Sequence, residues 1–193
     1  MEYRIFRLID QHTFDTKWKE KNNVEHRTDI YFLLFEDEFG LKLRNKKKLE
    51  LKKRQQRLQN GQEYWIKTLH SNKKSSIDKL ESIIDILKQS NENHLIDRFH
   101  SIQPMILCYL KKYRQQSLLN FNLSYELTGF RLQFIRANDQ QQIGTDLYFE
   151  TMCIEHSTSN SIDENVVRDF TQELCQPMGY PEFLNREYKK LMD

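Results

Sequence analysis

The sequence predicts an α+β fold: a closed or nearly closed eight-stranded antiparallel β-barrel with two to three flanking helices. Three observations carry this expectation. Eight segments alternate apolar and charged side chains with period two, the pattern of strands whose two faces meet different surroundings. Helical periodicity is confined to one internal insert and to the end of the chain. The chain has 193 residues and is 12% aromatic, enough for one packed core and too short for two comfortable ones. A single domain over residues 1–193 is therefore expected.

The strands follow one another as short runs. "MEYRIFRL" sets Glu2, Arg4 and Phe6 against Tyr3 and Ile5, and "EHRTDIYFLL" sets Arg27, Asp29 and Tyr31 against Thr28, Ile30 and Phe32. In "GLKLRNKKKLELKKRQQ", Leu41 and Leu43 oppose Lys42 and Arg44, while Leu49 and Leu51 oppose Glu50, Lys52 and Arg54. Asn45 opens the polar turn "NKKK" between the halves, so the stretch reads as a hairpin. A helix is the competing reading, since Lys, Leu, Glu, Gln and Arg are good helix formers and Gly61 would end it. "GQEYWIKTL" places Glu63, Trp65 and Lys67 on one face. "MILCYLKKYR" ends with Lys112 and Arg114, "NLSYELTGFRLQFI" carries Glu126, and "TDLYFETMCIE" aligns Thr151, Cys153 and Glu155.

Helices fill the rest. "SSIDKLESIIDILKQ" puts Ile77, Leu80, Ile84 and Leu87 on one stripe, within a helical crossover spanning about 71–104. The region of about 161–192 reads as two helices. "SIDENVVRDFTQEL" opens with Ser161 and Glu164 at capping-box spacing, and Pro181 starts "PEFLNREYKKLM".

Thirty basic and 28 acidic residues leave a net charge of +2, so bulk electrostatics points neither to nucleic acid nor to anionic membrane. Any basic site must be local. No apolar run approaches the ~20 residues of a membrane span, and "MEYRIFRLID" lacks a secretory core; a soluble, cytoplasmic protein is the expectation. Cys108, Cys153 and Cys175 are too scattered for a zinc site or a disulfide framework and read as small buried filler. There is no P-loop, no dinucleotide-binding glycine motif and no Ser/His/Asp order.

Closing eight such strands removes exposed edges and forces one parity inward. If the apolar parity packs outward under the helices, the charged parity lines the lumen. That parity holds nine basic residues (Arg4, Arg27, Lys42, Arg44, Lys52, Arg54, Lys67, Lys112, Arg114) and six acidic ones (Glu2, Asp29, Glu50, Glu63, Glu126, Glu155). Confined cations repel one another and are costly to desolvate unless an anion sits among them. A polyphosphate suits, because arginine offers a forked donor to phosphate oxygens and lysine a point charge. The competing reading makes these faces the solvated side of a half-buried sheet. Asp29, between Arg27 and Tyr31, reads as a residue that orients Arg27, and Trp65 either packs at the rim or stacks on an organic group.

The charged strands, with Lys and Arg two residues apart in "LKLR" and again in "KYR" and with the Lys of "LELK", resemble the CYTH superfamily of triphosphate tunnel metalloenzymes. "EHRTDIYFLL", "FGLKLR", "KLELKKR", "GQEYWIKT", "YELTGF", "YFETMCIE" and "YPEFL" in this order are most similar to a mostly bacterial CYTH-like group without an assigned activity. The resemblance spans nearly the whole chain. It implies a tunnel in which basic side chains hold a triphosphate and glutamates hold Mg2+ or Mn2+. Lys42, Arg44, Lys52, Lys112 and Arg114 match its phosphate-gripping positions, and Glu155 its last-strand acid. Arg4, Arg27, Arg54 and Lys67 join them by parity. Glu2, Glu126 and Glu155 are the metal-ligand candidates, with Glu126 and Glu155 as the catalytic ones.

The chain departs from the family pattern at two places. The first-strand motif E-x-E-x-K reads Glu2, Tyr3, Arg4, Ile5, Phe6, so a cation replaces the second acid and an aromatic the lysine. On the last strand Cys153 stands where the first acid of a pair belongs. Two functional expectations follow: metal-dependent hydrolysis of an inorganic or organic triphosphate, or a tunnel that binds a small phosphorylated anion without turning it over. An interaction module without a small ligand is the third.

Overall fold

The computed structural model describes residues 1–72, 80–89, 91, 93–102, 105–119, 122–156, 162–163 and 176–193. Eight antiparallel strands are formed: β1 (Glu2–Ile9), β2 (Glu25–Phe32), β3 (Phe39–Arg44), β4 (Lys48–Arg57), β5 (Glu63–Asn72), β6 (Ile106–Leu118), β7 (Leu123–Arg136) and β8 (Gln142–His156). Their order is β1-β5-β4-β3-β2-β6-β7-β8, and pairing of β8 with β1 closes the barrel. Among the described residues four helices accompany it: α1 (Gln11–Phe14), which runs into a π-helical segment Asp15–Lys19, α2 (Leu80–Gln89), α3 (Asn93–Ser101) and α4 (Tyr180–Met192). The sequence reading anticipated neither α1 nor α3 as a separate helix. Ser75, Ser76 and Ile77 of the predicted crossover helix, residues 164–174 of the predicted helix before α4, and Cys175 lie outside the described residues.

The β3–β4 hairpin resolves the ambiguous charged stretch. Asn45 (φ 48°) and Lys46 (φ 57°) turn the chain in the left-handed region, which Asn tolerates better than most residues. The Asn45 side-chain carbonyl accepts the Thr28 N–H at 2.9 Å, fixing the turn to β2. Leu41, Leu49 and Leu51 are fully buried on the outer face, under α2 and α3 with Ile83, Leu87, Leu95 and Phe99. That burial secures the strand against the helical alternative. A second outer cluster seats Trp18 on β7, where Gly129 leaves room: a Cβ there would lie 2.4 Å from the indole. The indole N–H donates to Glu150 at 2.8 Å.

The inward faces change character along the strands. On β2 they read Arg27, Asp29, Tyr31 and then Leu33 beyond the strand end; on β6 Arg114, Lys112, Leu110, Cys108; on β7 Glu126, Thr128, Phe130, Leu132, Phe134. One half of the interior is therefore charged and the other apolar. α4 fills the apolar half, stacking Phe183 on Phe6 with ring centroids 3.9 Å apart and setting Leu184 and Tyr180 among Phe130, Phe149 and Tyr31. Instead of flanking the barrel, α4 plugs it. The expected lumen is consequently a cup with a floor and not a through-tunnel. On β5 an irregularity between Leu51 and Lys52 of the partner strand reverses parity, so Lys67 faces the cup while Leu69 joins the outer core. Among the described residues, no helix is long and apolar enough to cross a membrane.

Candidate functional site

The charged half encloses a cavity of about 220 Å³. Ten of the twelve site residues expected from the sequence line it, and every strand contributes: Glu2 and Arg4 from β1, Arg27 from β2, Lys42 and Arg44 from β3, Lys52 from β4, Lys67 from β5, Arg114 from β6, Glu126 from β7 and Glu155 from β8. Lys48 and Glu50 of β4, Tyr31, Trp65 and the segment Gly179–Pro181 complete the wall. Eight cationic side chains thus face four carboxylates.

Two expected residues stand elsewhere. Lys112 lies one inward step deeper on β6 than Arg114, beneath the cup. Its ammonium is fully buried, 3.0 Å from Asp29 and 3.8 Å from the centroid of the Tyr180 ring. It supports the floor and does not line the cavity. Arg54 lies just before the second irregularity of β4, opposite Trp65, and reaches Glu63 at 2.7 Å and Glu182 of α4 at 3.6 Å. It ties the barrel wall to the start of α4.

The cations outnumber their counter-ions, and the few acids are shared. Glu50 alone serves Lys42 (3.4 Å), Arg44 (3.2 Å), Lys48 (3.3 Å) and Lys67 (3.7 Å). Asp29, also fully buried, serves Arg27 (3.4 Å), Arg44 (3.3 Å) and Lys112 (3.0 Å). Asp29 therefore does more than orient Arg27. Burial raises its pKa, but Lys112, Lys42, Arg27 and Arg44 outweigh burial and hold it well below the usual carboxylate range. Among the described residues of the cavity wall, two enclosed polar atoms lack a well-formed hydrogen bond: Nε of Arg27, whose ion pair with Asp29 is long at 3.4 Å, and the hydroxyl of Tyr180, on residues 9% and 7% exposed. Buried polar groups are seldom left unmatched, and both belong to residues of the cavity wall.

The wall also includes the start of a helix. Gly179 is the N-cap of α4 and provides no side-chain cap, so the first turn presents its positive dipole end to a cavity lined by Gly179, Tyr180 and Pro181. A Cβ at position 179 would come within 2.7 Å of the Trp65 ring and 2.8 Å of a Glu63 oxygen, so glycine permits the close approach. Sequence reading did not mark Tyr180 or Gly179 for the site. The available signal was a glycine and a proline bracketing a helix start, and nothing local says that this start enters a barrel.

No family model matches the chain, and no curated protein matches it. The site must be read from its own chemistry.

Two of the three metal-ligand candidates, Glu2 and Glu126, are committed to cations, while Glu155 is an exposed residue of the cavity wall. Glu2 accepts from Nε of Arg4 at 3.0 Å and lies 3.5 Å from the Lys52 ammonium. Glu126 accepts from Arg4 at 3.1 Å, from Thr128 at 3.2 Å and from Arg114 at 2.6 Å. Burial disfavours ionisation of Glu2, yet Lys52 and Arg4 more than offset it and bring its pKa to about 2. Glu126 is held low in the same sense, against burial, by Arg4, Arg114, Arg27 and Lys112. Among the described residues no three Asp, Glu, His or Cys side chains form a group able to hold a metal ion. The residues present do not fit the Mg2+ or Mn2+ that the family resemblance implies, because arginine and lysine already use the oxygens of Glu2 and Glu126, which leaves Glu155 too few partners for a metal.

Lys42 gives the cup a pH dependence. Burial, reinforced by Arg44 and Lys52, pulls its pKa down to about 8, although Asp29 and Glu50 act in the opposite sense. A bound anion favours the ammonium form and raises that pKa, so anion binding takes up a proton once Lys42 begins to lose its own. Anion affinity is expected to fall as pH rises through about 8, by about 3- to 10-fold between pH 7 and 9.5 beyond any change in a Lys42→Met variant. Calorimetric titrations of both proteins across that range check it.

Proposed function

We propose that the protein binds a small polyphosphate-bearing anion in this cup, as a binding protein and not as a metal-dependent phosphohydrolase. One observation carries the reading: eight cationic side chains against four carboxylates around one cup, with each carboxylate oxygen of Glu2 and Glu126 paired to a cation. A confined excess of positive charge is unfavourable by itself, and a polyanion with several oxygens relieves it at many points at once. The volume is below the ~300–1,000 Å³ of drug-sized ligand sites, which suits a compact anion such as tripolyphosphate or the phosphate tail of a larger molecule. The strand motifs shared with the CYTH superfamily support the same ligand class. Hydrolysis there relies on a metal to polarise the phosphoryl group or activate water, and Glu2, Glu50 and Glu126 of this site are already occupied by arginine and lysine.

Calorimetric titration with tripolyphosphate, orthophosphate and sulfate, coupled to a phosphate-release assay with and without Mn2+, tests the reading. Saturable one-to-one binding of tripolyphosphate, weaker binding of the smaller anions and no phosphate release are the expected results. Metal-dependent release that is lost in an Arg44→Ala variant would replace this reading with a triphosphatase.

A further inference from the structure

Resting on the reading of the cup as a polyanion site, we propose that Arg4 is a built-in cation that stands in place of a divalent metal, so that the protein captures its anion without one. The pairing register gathers the acids around one point. Glu2 lies opposite Glu155 across β1 and β8, and Cys153 of β8 faces Arg4 on one side and Glu126 on the other. The Arg4 side chain sits among them, 8% exposed, with Nε 3.0 Å from Glu2 and a terminal nitrogen 3.1 Å from Glu126. A divalent ion would need those same oxygens at roughly 2.0–2.6 Å, so guanidinium and metal exclude each other. Cys153, 1% exposed, leaves a neutral thiol where another acid would strengthen a metal site.

Arginine suits the role for two reasons. It keeps its charge at every physiological pH, so neither chelator nor mild base removes this cation. Its guanidinium is also held from a third direction, with Cζ 4.8 Å from the centroid of the Tyr180 ring on the floor of the cup. A permanent cation fixed by two carboxylates and an aromatic face gives the ligand a preformed positive point. Removing the guanidinium uncovers one oxygen of Glu2 and one of Glu126, the other oxygens staying with Lys52 and Arg114, and opens between them a place that a divalent ion can take.

The test follows Mn2+ through the spectrum of the free ion in electron paramagnetic resonance. With wild type at stoichiometric concentration the free-Mn2+ signal is expected to stay unchanged, as it should with Arg4→Lys. With Arg4→Gln, shown to be folded by circular dichroism, the signal is expected to fall by at least about half as the uncovered carboxylates bind the ion. Uptake of Mn2+ by wild type, or no uptake by folded Arg4→Gln, overturns the proposal. Should Arg4→Gln not fold, the wild-type affinity for tripolyphosphate in EDTA and in Mn2+ decides: values within about threefold support the proposal, and a requirement for Mn2+ overturns it. Wild type that binds no polyphosphate under either condition would refute the cup as a polyanion site, a different result from metal-dependent binding.

Discussion

An Asp29→Ala variant is expected to lose about 3–5 kcal/mol of stability, the usual consequence of removing one partner from a buried charge pair. Asp29 is the shared counter-ion of Arg27, Arg44 and Lys112, and both it and Lys112 are wholly shielded from water. Without it, three cations crowd a low-dielectric space with Glu50 near Arg44, and the more distant Glu126, to compensate. For a domain with a total stability of roughly 5–15 kcal/mol, that loss lowers the melting temperature by about 10 °C or more. Differential scanning calorimetry measures it. The same cause gives a second, more particular outcome: tripolyphosphate should restore a larger part of the lost stability in Asp29→Ala than it adds to wild type, since the variant has the greater excess of positive charge. A variant as stable as wild type would mean that the buried cations are neutralised in another way.

Arg27→Met should behave in the opposite sense. Its removal takes a positive charge away from Lys112, whose ammonium is already disfavoured by burial and by Arg27. Asp29 keeps Lys112 and Arg44 as partners. The melting temperature without ligand is therefore expected to stay level or rise. Affinity for tripolyphosphate, by contrast, should fall by about 100-fold, within the 2–5 kcal/mol typical of truncating a buried hydrogen-bonded charge. The reason is specific to this residue: Arg27 is nine-tenths buried, lines the cavity, and its Nε makes only a long 3.4 Å ion pair with Asp29 among the described residues. Stability that is retained while affinity collapses separates a ligand-facing arginine from one that merely braces the barrel. Loss of stability without loss of affinity would reverse that assignment.

Much of the barrel was legible because period-two alternation is a local signal. Leu41 and Leu43 against Lys42 and Arg44, or Tyr3 against Glu2 and Arg4, state in a few residues which side chains share a face; that the charged face is the inner one follows from α2 and α3 packing over the leucines. The shift from charge to hydrocarbon along the same inward face was also written in the sequence, as Arg27, Asp29, Tyr31, Leu33 and as Arg114, Lys112, Leu110, Cys108. Its meaning was not, because only the packing of α4 against Phe6 and Phe130 shows that the apolar half is filled. Register irregularities carried the remaining differences. The one between Leu51 and Lys52 sets Lys67 and Leu69, two residues apart on β5, on opposite faces, which no count along one strand can detect, while Arg54, on the face of Lys52, reaches past the cavity to Glu63 and Glu182. Depth hid the role of Lys112: parity places it inside, while its pairing with Asp29 below the cup depends on the relative stagger of β2 and β6. Tyr180 and Gly179 were hidden for a third reason, their distance in sequence from the strands they meet.

The central claim is that the excess of cations in the cup awaits a polyanion, and the melting temperature of the wild-type protein with added tripolyphosphate tests it most directly. A ligand that binds only the folded state at about 100 times its Kd adds about 2.7 kcal/mol, which for a chain of this size raises the melting temperature by about 5–10 °C. The account predicts such a rise in the presence of EDTA, well beyond that given by sodium chloride or sulfate at matched ionic strength. A melting temperature that follows ionic strength alone, with no added effect of tripolyphosphate at millimolar concentration, would contradict it.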